Sequence, residues 1–300
     1  METIDEYNEL RTVSTTTPEQ VVASRPGGTN HYNANRYDIV SVVRSEWTKL
    51  RTLRSTLWSL VALAVLGIGI GALVSAAKAS RFHRHHIGLA AASFDPTRIS
   101  LSGVLLAQLA IGVLGALFIT AEYATGTIFS TFSAVPRRHL VIIAKVIVFG
   151  LVALVASEIT CFISFFVGQG ILSGSAPYAT LDTPGALRAV VAAGLYLTVL
   201  GLLALGIGVI VRHTAAAITT FVTILLIFPL ILQALPTSYI NAIGKYLPAN
   251  IGIVLLSNTG GINAAAFHHM FSPWVGFGVL CLYAVVALGV GTVLTIRRDA

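Results

Sequence analysis

The stretch Ala121–His139, AEYATGTIFSTFSAVPRRH, separates two long apolar runs with a carboxylate, a glycine, two phenylalanines, a proline and an Arg-Arg pair. Glu122 and Tyr123 lead out of the preceding run, Gly126 permits a bend, and Pro136 ends any short helix formed over residues 127–135. On such a helix Ile128, Phe129, Phe132 and Val135 lie near one face, with Arg137 and Arg138 just beyond it. An exposed aromatic ridge of this kind needs a partner to bury it. It could equally rest on a membrane interface, and the residues alone leave both roles open.

Glu158 is the second group that could do chemistry. It lies in the middle of LVALVASEITCFISFF, where a charge is costly and rare. Two roles fit: a polar contact or proton-linked switch in a translocation path, or an acid that fixes helix packing with Ser157, Thr160 or a neighbouring helix. A break in the helix near Glu158 would place the acid nearer an interface. His83, His85 and His86 cluster with Arg81 and Arg84, and His268 and His269 form a second pair. Neighbouring arginines disfavour a cation, and no metal site is expected. Cys161 and Cys281 lie inside apolar runs without metal-ligand spacing, as inert thiols do. No catalytic set is present: there is no GxSxG elbow and no HExxH. No GxxxxGK[ST] phosphate loop occurs either, so the chain has no Walker route to ATP hydrolysis of its own.

Composition says what must hold these residues in place. Of 300 residues, 55% are hydrophobic and 10% charged, with mean hydropathy +0.83. Soluble domains carry about a quarter charged residues, so lipid is the expected solvent. The net charge of +7 is scattered along the chain without a recognition motif, which points away from nucleic acid and toward membrane headgroups. Residues 1–36 are polar, have no helical period and no apolar segment of the kind a signal peptide needs; they read as a disordered tail. Residues 37–300 read as one membrane domain.

Within that domain, residues 37–56 place Ile39, Val43, Trp47, Leu50 and Leu53 on one helical face, with Arg44, Lys49, Arg51 and Arg54 around the rest. Such a helix suits the headgroup layer, although an amphipathic helix packed on protein has the same pattern. Six apolar runs follow, at about 57–77, 99–121, 140–172, 187–211, 215–235 and 274–296. Each is near or above the roughly 20 residues needed to cross a bilayer. Only Arg212, His213 and Thr214 separate the fourth from the fifth, which predicts a tight antiparallel hairpin. The segment 236–273 is long and moderately apolar and is expected to hold short helices, with a turn at NTGG, 258–261. The expected fold is an all-α integral membrane protein with six spans behind an interfacial elbow helix. With both termini cytoplasmic, ten Lys and Arg beyond the tail lie inside against six outside, the sense favoured by the positive-inside rule.

Three stretches carry a family resemblance. Gly103–Lys145, GVLLAQLAIGVLGALFITAEYATGTIFSTFSAVPRRHLVIIAK, resembles the second span and following loop of type-2 ABC exporter permeases. Ser45–Leu60, SEWTKLRTLRSTLWSL, is similar to their elbow helix and first span, especially in actinobacterial-looking members, and Tyr246–Gly252, YLPANIG, to a segment before their last span. The similarity covers about residues 38–298, and the EYATGT…VPRR pattern is its most specific part. The resemblance implies that Glu122–Arg138 is a coupling helix docking on a separate cytoplasmic ABC ATPase, which would bind ATP and magnesium. It further implies a second permease copy or relative, alternating access, export, and a multi-pass location in a bacterial plasma membrane. The substrate is then an unnamed amphipathic molecule. Two other classes stay open: a membrane immunity or sensor protein binding a peptide or regulatory partner, and an intramembrane enzyme dependent on Glu158.

Overall fold

The structure is a computed structural model that describes residues 39–52, 54–84, 94–128, 130, 138–258 and 269–298. The tail 1–36, the NTGG turn beyond Asn258, Leu53, Phe129, Phe132, Arg137 and the histidines at 85, 86 and 268 lie outside these residues, as do the side chains of His83 and Arg138. The described residues form helices and short connections with no strand among them.

Helix α1 is Ile39–Thr52 and α2 is Arg54–Arg84. The next apolar run begins with the single-turn α3, Pro96–Ser100, continues through a tighter turn at Leu101–Gly103, and becomes α4, Val104–Thr125. Asp95 starts this run by accepting the Arg98 backbone N–H, and Pro96 follows in the first turn, where its missing N–H is harmless. Helix α5, Arg138–Leu172, is one unbroken helix, so the break considered near Glu158 does not occur. Its 35 residues reach roughly 50 Å, well beyond a 30 Å hydrocarbon core.

Helix α6 spans Ala186–Val211, and α7, Thr214–Val222, begins three residues after it, as the hairpin expectation required. A wide π turn at Thr223–Ile227 leads into α8, Phe228–Gln233. Pro229 sits at the start of α8 and cannot donate to the preceding turn, which is the reason for the irregularity. The segment after it contains the expected short helices, α9 at Thr237–Ile243 and α10 at Pro248–Leu256. Helix α11 is Pro273–Arg298. Among the described residues six helices are long and apolar enough to cross a membrane.

The core is organised around α6, which packs on α4, α5 and α11. In lipid there is little hydrophobic drive between helices, so close contact depends on small residues. A Cβ at Gly115 of α4 would strike the Gly201 carbonyl of α6, and one at Gly103 would strike the Gly67 carbonyl of α2. On the other side of α6, a Cβ at Gly206 would come within 2.8 Å of Ala287 of α11. Polar ties reinforce the end where α5 finishes: Ser164 Oγ donates to the Ser100 carbonyl at 2.8 Å, and Gln169 Nε2 donates to Ser100 Oγ at 2.7 Å. These contacts predict that Gly115→Ala lowers thermal stability in detergent by about 1–3 kcal/mol through overpacking against rigid backbone. Gly69→Ala, with open space where its Cβ would lie, should leave the melting temperature unchanged or slightly raised.

Candidate functional site

Glu122 is in the last turn of α4, and Gly126 ends that helix in the left-handed region with φ 71°. Its N–H closes back on the Tyr123 carbonyl at 3.3 Å. This is the bend expected at Gly126, and a side chain there would be strained. Thr125 and Thr127 hydroxyls lie 3.0 Å apart across the bend. Ile128 differs from its expectation. It was placed on an exposed ridge with Phe129 and Phe132, but it is fully buried in this chain's own core. Two residues past the bend the chain is still folding back onto the bundle, so Ile128 anchors the segment rather than facing outward.

Beneath that bend lies a charge network that was not apparent from the sequence. Lys145 Nζ, two turns into α5, donates to Glu46 Oε2 of α1 at 2.5 Å and to Glu122 Oε1 of α4 at 2.7 Å. Lys49 Nζ, one turn beyond Glu46 on α1, donates to Glu46 Oε1 at 2.8 Å and to Glu122 Oε1 at 3.2 Å. Lys145 and Glu46 are each 1% exposed, and Glu122 14%. The ammonium of Lys145 also lies 4.8 Å from the centre of the Phe118 ring, a cation–π contact. Two acids and two bases therefore neutralise one another and join three helices that are far apart in sequence. A buried pair is weak evidence of net stability, but removing one partner leaves an uncompensated charge and costs about 3–5 kcal/mol.

The network lies on the side of α1 that packs against the bundle. The buried residues are Val42, Glu46 and Leu50, at four-residue steps. Of the predicted face, Leu50 is buried, Val43 half-buried, and Ile39 and Trp47 exposed. Glu46 faces inward with Val42 and Leu50 because it meets the buried Lys145, whose charge needs a counter-ion. Arg44, Arg51 and Arg54 remain exposed, as their charges require. Burial alone would lower the pKa of Lys49, but its hydrogen bond and charge interaction with Glu46, and then those with Glu122, outweigh this and raise it.

The other side of the α4 terminus is fixed to the α6–α7 turn. Arg212 caps α6 with φ 59°, a left-handed conformation uncommon for a bulky residue. Its guanidinium lies 5.1 Å from the centre of the Tyr123 ring. One turn back on α4, Thr120 and Thr214 hydroxyls are 3.0 Å apart.

Glu158 stands apart from this network. It faces α6 where Gly194 leaves room for it; a Cβ there would strike the carboxyl. Its Oε2 is buried with no hydrogen-bond partner among the described residues. Thr160 donates to the Ala156 carbonyl of its own helix at 2.7 Å, and Ser157 Oγ has no partner among the described residues, so neither residue holds the acid. Cys161 is buried and Cys281 half-buried, both as free thiols.

The fold is that of a multi-pass α-helical membrane protein, and its helix α4 ends in a bend braced by charges from α1 and α5. The sequence model of a family described as ABC-2 family transporter protein matches residues 42–230, from the first buried residue of α1 to the start of α8. That is more than half of the chain, and the protein belongs to the ABC-2 transporter family, as a membrane component of such a transporter. A comparison with curated proteins finds no match.

Two outcomes follow for the network. Lys145→Met should destabilise the detergent-solubilised protein by about 3–5 kcal/mol. Lys49→Met, at a side chain 34% exposed, should cost about 1 kcal/mol or less. Because the Lys49 pKa is raised, its contribution is fully present below the ordinary lysine value of about 10.4 and lost only as pH rises beyond it. Melting curves should show no loss of the wild-type advantage over Lys49→Met between pH 7 and pH 9; a loss in that window would contradict the pairing.

Proposed function

We propose that this chain is the membrane-spanning permease subunit of an ATP-driven exporter, in which residues 122–138 dock on a separate ABC ATPase. The observation that carries the reading is the Glu46–Lys145–Glu122–Lys49 network. A segment that receives a push is useful only if the push reaches the spans. Here residues 126–138 connect covalently to α4 and α5, and the network adds α1 to the same body. Tyr123 and Arg212 extend the connection to the α6–α7 turn.

In this reading the α1 end of the bundle is cytoplasmic and the membrane is the bacterial plasma membrane. Residues 1–36 form a cytoplasmic tail, and α1 is the interfacial elbow, with Trp47, Arg44, Arg51 and Arg54 meeting headgroups. Glu122, Tyr123 and Gly126 form the rigid base, Ile128 the anchor, and Phe129, Phe132, Arg137 and Arg138 the contact with the ATPase. ATP and magnesium bind on that partner. Closure of two ATPase subunits would move the bases of two permease copies and convert the bundle between inward- and outward-open forms. An amphipathic substrate is pumped only if those two forms bind it differently. Glu158, lying between α5 and α6, is a path or packing residue and not part of the docking surface.

The test is co-purification of the full chain with an ABC ATPase taken from a neighbouring reading frame that carries a Walker loop. Wild type should retain the ATPase in a fixed ratio. Phe129→Ala combined with Phe132→Ala should lose it while membrane insertion is unchanged, and Glu158→Gln should retain it. Retention by the double variant would count against docking through this segment. A well-folded wild-type chain that never holds an ATPase would favour an immunity or sensor role.

A further inference from the structure

Near the other end of the bundle a cavity of about 200 Å3 opens between α4, α6 and α10. It is distinct from the charge network and from Glu158. Leu105, Ile253 and Leu256 supply apolar walls, while Arg98, Ser102 and Gln108 supply polar groups. Arg98, Ser102 and Leu105 follow one another at helical spacing, so they form a stripe leading inward from the start of the span to Gln108.

Gln108 is the telling residue. It is 1% exposed, and its Oε1 accepts a hydrogen bond from the Tyr196 hydroxyl at 2.8 Å. Its Nε2 is left buried without a partner among the described residues, as is Ser102 Oγ. Native interiors rarely leave buried polar groups unsatisfied. What the cavity offers is therefore an amide donor, a hydroxyl and a guanidinium, and no Asp or Glu lines it. That set suits acceptor oxygens, best of all anionic ones near Arg98.

Size narrows the occupant further. Pockets that enclose a whole small ligand are typically about 300–1,000 Å3. This one takes one end of a molecule, and the rest must leave past Leu105, which is 57% exposed on the face of α4. A molecule with an oxygen-rich head and an apolar body matches both the donors and the walls.

We propose that this cavity binds the anionic, oxygen-bearing end of a membrane amphiphile, and that such amphiphiles are the cargo class of the permease. The second half rests on the permease reading; the site itself does not.

The test uses the full chain, delipidated in detergent, with native mass spectrometry after addition of oleate, dioleoylphosphatidylglycerol or dioleoylphosphatidylcholine. Wild type should retain at least one of the two anionic probes over the zwitterionic one. Retention of oleate alone would identify a carboxylate source and of the phosphatidylglycerol alone a phosphodiester. Arg98→Gln and Gln108→Leu should each lower occupancy about tenfold or more, the loss of one charge-assisted or buried hydrogen bond. Leu105→Trp should exclude the probe by filling the cavity with the donors intact, so the test survives if Gln108→Leu fails to fold. No retention by wild type, as when water alone satisfies Gln108, would overturn the site, and so would equal retention by wild type and the three variants. The same preparation is assayed for the ATPase. A complex that forms without amphiphile binding sinks the cavity and spares the permease; amphiphile binding without a complex spares the cavity and sinks the cargo assignment.

Discussion

Lys145 sits two turns inside α5 with 1% of its side chain exposed, where an unpaired ammonium would cost several kcal/mol. Three helices at this end of the bundle meet at that charge. Glu46 must come in from α1, and Glu122 must stand at the last turn of α4, or the charge is not met. Lys49 then balances the second acid. Satisfying one cation ties α1 and the last turn of α4 to α5, beneath the bend that Gly126 makes. The interaction is worth more as a constraint on geometry than as stability, because a well-packed apolar substitute could serve the latter.

Packing elsewhere obeys the same economy of close contact. Gly115 on Gly201 and Gly103 on Gly67 bring backbones together where lipid offers no hydrophobic drive. The bundle around α6 is thus tight at its centre, and its polar ties concentrate at the two ends. At one end the ties are charges beneath the bend at Gly126. At the other they are the Ser164, Gln169 and Ser100 bonds, beside a cavity whose donors are left open. In the proposed function, the first end is the one that receives work and the second the one that holds the amphiphile.

Much of the fold could be read from residue order alone. Long apolar runs identify spans because backbone groups in lipid must be satisfied within a helix, and their ends were placed within about four residues except that of the first, whose helix runs seven residues further, to Arg84. Gly126 and the short link around Arg212 were legible because left-handed turns and tight hairpins have local signatures. The protein-facing side of α1 was not. Its hydrophobic period marks the side carrying Ile39 and Trp47, which is exposed, whereas the side that packs on the bundle carries Glu46, which meets a lysine 99 positions away. The pair Glu46 and Lys49 at three-residue spacing, and a lysine inside an apolar run, were the available hints. Ile128 was misplaced for a similar reason: a periodic face shows which residues travel together, not which side faces the core. Gln108 lay in a run read as apolar, and its unsatisfied amide becomes visible only when Tyr196 and the cavity are in place.

The rigidity of the joined base can be measured directly by electron–electron distance spectroscopy. Spin labels at Val40 on α1 and Thr125 on α4, both exposed, report whether the two helices move together. In the assembled transporter the distance distribution should stay the same with and without ATP, and should broaden when Glu46→Gln breaks the pairing. A clear ATP-dependent shift in the wild-type distance would show that α1 and α4 move independently, and the network would then be a local packing feature rather than a link to the motor.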